Sequence, residues 1–228
     1  VARIDQIIAA RHAQARLLGD MARAEIDGAL EPTPKDRLTR LGRLSVVQSG
    51  LTLDSGRDTT GSTTRPYLRV ANVQDGYLNL SEVKEVSVSD DLASRTMLRR
   101  GDVLMTEGGD LDKLGRGTLW SDEIEGCLHQ NHVFAVRPVP SKLRPDFLAL
   151  YTRTSAARAY FESTGSRSTN LASTSASKVR DLPIPVRSLQ HQQYDVALAQ
   201  RAVDGQLSAQ EQLARQVQLL SEYKQSLI

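Results

Sequence analysis

The sequence has 228 residues, 39% hydrophobic and 25% charged, with a formal net charge of only +2. That suffices for a core, yet no apolar run approaches the roughly 20 residues a membrane helix needs, and a cytoplasmic protein is expected. A lone Cys127 excludes an internal disulfide framework and fits a reducing compartment.

In chain order, residues 3–28 read as a helix. Ile4, Ile7, Ile8, Ala15, Leu18 and Ala22 recur at helical spacing, and Pro32 and Pro34 stop it because proline cannot continue the hydrogen-bond ladder. Leu44, Val46 and Val47 then suggest a strand, followed by a polar loop over 49–65. Residues 67–73 are β-prone, and the Asp75-Gly76 turn predicts a hairpin with 77–80. Val103-Leu104-Met105 reads as a short buried strand behind the Gly101-Asp102 turn. Residues 107–117 hold four glycines and five charged side chains, which predicts an exposed loop.

Leu128, Gln130, His132, Phe134 and Val136 alternate as one returning strand would. Residues 146–162 read as one short helix, 163–178 as a third polar loop, and Leu182-Pro183-Ile184-Pro185 as a stiff extended connector. Ser188 is placed to cap a second long helix that reaches residue 228, with Val196, Val203, Leu207, Leu213, Val217, Leu220 and Leu227 on its apolar side.

The two terminal helices match each other. Ile4-Asp5 with Ile8 corresponds to Val203-Asp204 with Leu207, and Leu17-Leu18 with Ile26 corresponds to Leu219-Leu220 with Ile228. Both pairs keep equal internal spacing, which predicts an internal repeat and two helices packed antiparallel beside one central domain. Between them the charge shifts. Residues 36–187 hold 21 Lys and Arg against 18 Asp and Glu, and 17 of the cations are Arg. Guanidinium forks match guanine edges and phosphates, which favours nucleic acid, although a bias toward Arg and Ala codons explains the count as well.

The stretches PYLRVANVQDG, LRRGDVLMTEGG, GRGTLW, HQNHVFAVRP, LPIPVRSLQHQQ and QLLSEYKQSLI, in this order, resemble the DNA specificity subunit of type I restriction-modification systems. The resemblance implies an α+β fold: a mixed α/β target-recognition domain with a twisted sheet (36–187), flanked by two long coiled-coil-like helices (1–30 and 188–228). It implies about half a subunit, since a whole one carries two recognition domains. A non-catalytic role follows, reading one half of a bipartite site in double-stranded DNA. Chemistry would be left to adenine methyltransferase subunits that carry S-adenosylmethionine, joined by a restriction and translocation subunit, with no cofactor in this chain. A homodimer of the half subunit is expected as well, because the longer C-terminal helix leaves an apolar end, at Val196, Ala199 and Val203 or at Leu220 and Leu227, for a second copy to cover. The alternative is a non-catalytic protein–protein interaction module on a helical stalk.

The three polar loops supply the candidate readers: Arg57 and Arg65 in the first, Glu107, Asp110, Lys113 and Arg116 in the second, Arg167 and Asn170 in the third. Arg suits guanine O6/N7, Asn or Gln suits adenine N6/N7, and a carboxylate suits cytosine N4. Asn72, Gln74 and Gln130 join them, with a structural role at strand ends as the competing reading. Other chemistries find less. There is no Asp/Asn-Pro-Pro-aromatic run to hold a flipped adenine. Asp75 with Glu82 and Lys84 only mimics a nuclease spacing, and the turn at Gly115-Arg116-Gly117 lacks the Gly-Lys-Ser/Thr of a phosphate loop. Cys127 and His129 would share a strand face with His132 pointing away and no fourth ligand, so no metal is expected.

Overall fold

Helix α1 (Ala2–Leu30) runs without a break because neither glycine in it is followed by a proline, and it ends where Glu31 turns extended ahead of Pro32. The computed structural model describes residues 1–52, 62–109, 114–167 and 172–227. After α1 come β1 (Leu38–Arg40), β2 (Ser45–Ser49), β3 (Thr63–Leu68), β4 (Lys84–Val88) and α2 (Asp90–Thr96). Next are β5 (Val103–Thr106), β6 (Gly108–Gly109), β7 (Gly117–Leu119), β8 (Leu128–His129) and β9 (Val133–Pro138). Helices α3 (Pro145–Tyr151) and α4 (Ser155–Thr164) precede β10 (Ser166–Arg167), β11 (Ala172–Ser173), α5 (Ala176–Asp181) and β12 (Pro183–Pro185), and α6 (Leu189–Ser226) closes the chain.

The architecture is α+β. A four-stranded antiparallel sheet, in the order β2-β9-β5-β7, forms the centre of the head. Its inner strands β5 and β9 are buried on both faces, which is why Val103–Met105 and Val133–Val136 read as continuous apolar runs, whereas Val46 on the edge strand β2 is exposed. Val103, Met105, Phe134 and Val136 face the helices, packing with Phe147, Leu148 and Tyr151 of α3 and with Ile26, Ala199 and Val203 of the long helices. Leu104, Val133 and Ala135 face the other way, onto Leu68, Leu98 and Trp120. Each fully buried Leu or Phe contributes ~1.5–3 kcal/mol relative to exposure. A second sheet, β4-β3-β8, pairs β3 with β8 in parallel, and its Tyr67, Val88 and Leu128 pack with Leu51 and Ala93.

The long helices form an antiparallel stalk, with Lys224 Nζ 2.6 Å from Asp5 and the Gln210 amide donating to the Ala15 carbonyl. Ser188 caps α6 by accepting from the His191 amide. Of the matched positions, Ile4 and Val203 are both buried and Leu17 and Leu219 both exposed, whereas Ile8 is half-buried and Leu207 exposed. Arg187 ties stalk and head together. The Arg187 guanidinium donates to the Ala29 and Glu31 carbonyls and to the carboxylates of Asp36 and Asp195. Beside it, Asp27 and Glu31 at the end of α1 accept from the Ser155 and Ala156 amides, supplying negative charge to the N-terminus of α4.

Several expected elements take other forms. The 128–136 alternation is two strands in different sheets, because the chain turns at 130–132, where the Val133 amide donates to the Gln130 carbonyl. Residues 146–162 form two helices, since Thr154 adopts an extended conformation and caps α4 through the Ala157 amide. The hairpin after Asp75-Gly76 reduces to one bridge between Val73 and Leu78, and β3 pairs instead with β4. The 107–117 segment is not wholly an exposed loop: Leu114 is buried, and Gly115 (φ 65°) lies against the Phe161 ring. The end of α6 near Val196 does not project for a second copy to cover. Ala199 and Val203 are buried in the head's own core, and Gln192 bridges Arg144 and Lys142. Among the described residues, no helix is long and apolar enough to cross a membrane.

Candidate nucleic-acid interface

Strand β5 delivers Glu107 to one end of the central sheet, and the 129–133 turn meets it there because β9 pairs antiparallel with β5. The Glu107 amide donates to the His132 carbonyl (2.9 Å), and the two side chains are hydrogen-bonded to each other through His132 Nδ1. The same turn holds the root of the first polar loop. The Leu51 amide donates to the His129 carbonyl (2.7 Å), and the Asn131 amide returns the bond to Leu51 (3.0 Å). A glycine is required before Leu51, since a Cβ at Gly50 would lie 2.1 Å from the His129 oxygen.

The third loop is stitched to the second. Strand β11 pairs with β6, aligning Ala172 with Gly109 and Ser173 with Gly108, and the Thr174 amide donates to the Glu107 carbonyl (2.7 Å). On the other side of β5, the Thr106 amide donates to the Arg116 carbonyl (3.3 Å). One root of each polar loop therefore lies at Gln130-Asn131-His132 or at its neighbour Glu107, whereas the first loop returns at the far end of β3. Backbone bonds between segments distant in sequence do the joining, so the arrangement is fixed before any partner arrives.

The expected readers separate on this map. Glu107, Arg116 and Gln130 stand at the junction, and Arg167 reaches it through the β10–β11–β6 ladder. Arg57, Asp110, Lys113 and Asn170 lie outside the described residues. Arg65 is not in the loop: it belongs to β3, beside Gly126 and 3.8 Å from Asp90, at the end of that strand away from Gln130. Asn72 has the structural role. Its side chain is buried, accepting from the Arg69 amide and donating to the Asn79 and Glu82 carbonyls. Gln74 likewise donates to the Ala71 carbonyl. Asn131 and His132 were missed, because their position depends on backbone partners at Leu51 and Glu107 that no local pattern reveals.

The other chemistries are dispersed. Asp75 is paired with Arg158 (2.8 Å) and Arg153 (3.5 Å), whereas Glu82 is paired with Lys84 and Arg69. Burial pushes the Cys127 thiol up to about 12, which keeps it protonated, and burial pushes His129 down, so its ring is neutral with Nδ1–H donated to the Val133 carbonyl. His132 sits exposed beyond the turn. Among the described residues, no three His, Cys, Asp or Glu side chains are grouped to hold a metal ion.

An α+β head bearing rooted loops at one end of its sheet, on an antiparallel helix pair, is the fold of about half a type I restriction-modification specificity subunit. The chain matches a solved structure from a study of complex assembly and conformational transition of the type I R-M system with a TM-score of 0.74 at 17% identity, over 99% of this chain and 54% of that one. It also matches the HsdS subunit from Thermoanaerobacter tengcongensis (TM-score 0.59, 15% identity, 96% of this chain and 53% of that one). A third match is the type I restriction-modification S subunit from M. genitalium (TM-score 0.50, 14% identity, 97% and 57%). The chain thus spans about half the length of these structures, and at such identities the likeness is one of fold. No protein-family model and no curated protein matches the sequence.

Proposed function

We propose that this chain is a half-length DNA specificity subunit of a type I restriction-modification complex, reading one half of a bipartite duplex target and performing no chemistry itself. The observation that carries this reading is the rooting of polar loops at one end of a head whose fold, stalk included, is like that of an HsdS subunit over 96% of the chain. The stalk has a geometry suited to spacing. Helix α6 is 38 residues, roughly 57 Å at ~1.5 Å per residue, long enough to hold two heads a DNA turn of ~34 Å apart. Exposed apolar side chains on both stalk helices, among them Leu17 and Met21 of α1 and Leu219 and Tyr223 of α6, offer a dock for adenine methyltransferase subunits, which would bring S-adenosylmethionine, and for a restriction subunit. A second copy of this chain could use the same face. Such a complex works in the cytoplasm.

The test is reconstitution. The chain with its modification subunits and S-adenosylmethionine should methylate adenine within one duplex sequence, with affinity that falls steeply as salt rises. Purified alone with magnesium or S-adenosylmethionine, the chain should leave DNA unchanged. In the assembled complex, Arg116→Ala or Arg167→Ala should cost ~1–3 kcal/mol of binding and relax preference at one base pair if that Arg reads a base, or weaken all sequences alike and lower the salt slope by about one if it holds a phosphate. Salt-insensitive capture of a protein, with no preference among duplexes, would favour an interaction module on a stalk instead.

A further inference from the structure

The pair at the centre of the loop junction assigns two different tasks to Glu107 and His132. By residue type Glu107 is an acceptor for cytosine N4, but its carboxylate is turned to His132 Nδ1, and its side chain is only 29% exposed. His132 is the more exposed partner at 54%, and its Nε2 has no partner among the described residues. The backbone bond from the Glu107 amide to the His132 carbonyl holds the two residues in register, and the Thr174 amide on the Glu107 carbonyl braces the pair from the third loop.

Resting on the reading of the chain as a DNA specificity subunit, we infer that His132 is a base-reading residue of the half-site and that Glu107 is its positioning residue. The chemistry follows from the tautomer. A carboxylate only accepts, so in a singly protonated ring the proton sits on Nδ1 and Nε2 is left as an acceptor, fixed in direction by the bond at the other nitrogen. An outward acceptor at the junction of three loops suits an exocyclic amino group in the major groove, adenine N6 or cytosine N4. Thymine O4 and guanine O6 present acceptors there and would repel it. Glu107 therefore acts through His132, and its removal should cost the same base preference without abolishing a second one.

The experiment uses the chain assembled with its modification subunits, selecting from a randomised duplex library and then measuring affinity for single-base variants of the selected site. His132→Ala should lower discrimination by on the order of tenfold at one position, where the strand that His132 faces prefers A or C over T or G. Glu107→Ala should lower it at the same position, Glu107→Gln should restore most of it because the amide oxygen still accepts from Nδ1–H, and the double alanine variant should be no worse than His132→Ala alone. Melting curves confirm that each variant is folded. If Glu107→Ala relaxes one position while His132→Ala relaxes none, Glu107 reads directly and the inference is overturned. Equal weakening of every sequence by His132→Ala, which would mark a phosphate contact, overturns it too. A wild-type assembly that shows no sequence preference removes the parent reading, whereas a selective assembly indifferent to His132 removes only this inference.

Discussion

The head has two junctions where distant parts of the chain meet, and they are built on opposite terms. The Arg187 knot is buried and paired within the chain: its guanidinium, 7% exposed, uses both terminal amino groups on two carbonyls and two carboxylates. The loop junction around His132 is held by backbone hydrogen bonds, while the side chains of Gln130, Asn131 and His132 stay half-buried or exposed. One junction fixes the angle between stalk and head. The other fixes loop roots and leaves edges for recognition. The difference teaches that rigidity here comes from main-chain and buried ionic bonds, and that exposed side chains are kept out of that task.

Breaking the knot should have the largest effect. Arg187→Ala strands Asp195 and Asp36 without their cation and should cost about 3–5 kcal/mol in chemical denaturation, with Arg187→Lys recovering only part because an ammonium cannot span four acceptors. The loop junction should respond differently. Gly50→Ala drives a Cβ into the His129 carbonyl, and a loss of about 1–3 kcal/mol should be accompanied by a disproportionate loss of sequence preference in the assembled complex. A stability loss with preference intact would mean that the first loop is not held by this bond.

Acid sharpens the contrast further. The Thr33 amide, and after it the Arg187 guanidinium, holds the Asp36 carboxyl below its usual range. Its folded value is thus depressed, so the stability it adds is complete above the unfolded value of about 4 and is lost as pH falls through the folded one. Unfolding free energies measured from pH 5 to pH 2 should fall, and Asp36→Asn should flatten that slope. The smallest effect is expected at the stalk tip, where Lys224→Ala breaks an exposed pair with Asp5 and should cost less than about 1 kcal/mol, shrinking further in high salt.

What was legible in the sequence follows the same division. Helix α6 with its Ser188 cap, the proline stop after α1, and the apolar run of β5 were readable because period and punctuation are local. Helix α2 carried a readable signal too, Ser89 before Asp90-Asp91, with Ser89 accepting from the Leu92 amide. The split of 128–136 was hidden because Leu128 and Phe134 are both buried, although in different cores. Within the candidate site, Glu107 could be named from its residue type. Its attachment to His132 could not, since that depends on the pairing of β5 with β9, and Asn72 looked available only because its three internal partners come from a fold the sequence does not display.

The antiparallel stalk also has a consequence in time. Its closing contact joins residues 219 positions apart, and a loop of that size is among the last to repay the entropy of closing it. At about 5–20 residues per second, α1 would wait on the order of ten to forty seconds after synthesis before α6 exists to receive it. During that interval Ile4, Ala22 and Ile26, all buried in the finished fold, share one unmatched helix, which favours early docking of the α1 end onto α4 through Asp27 and Glu31. The head would then serve as the template on which the stalk is completed, rather than as a cargo hung on a finished one.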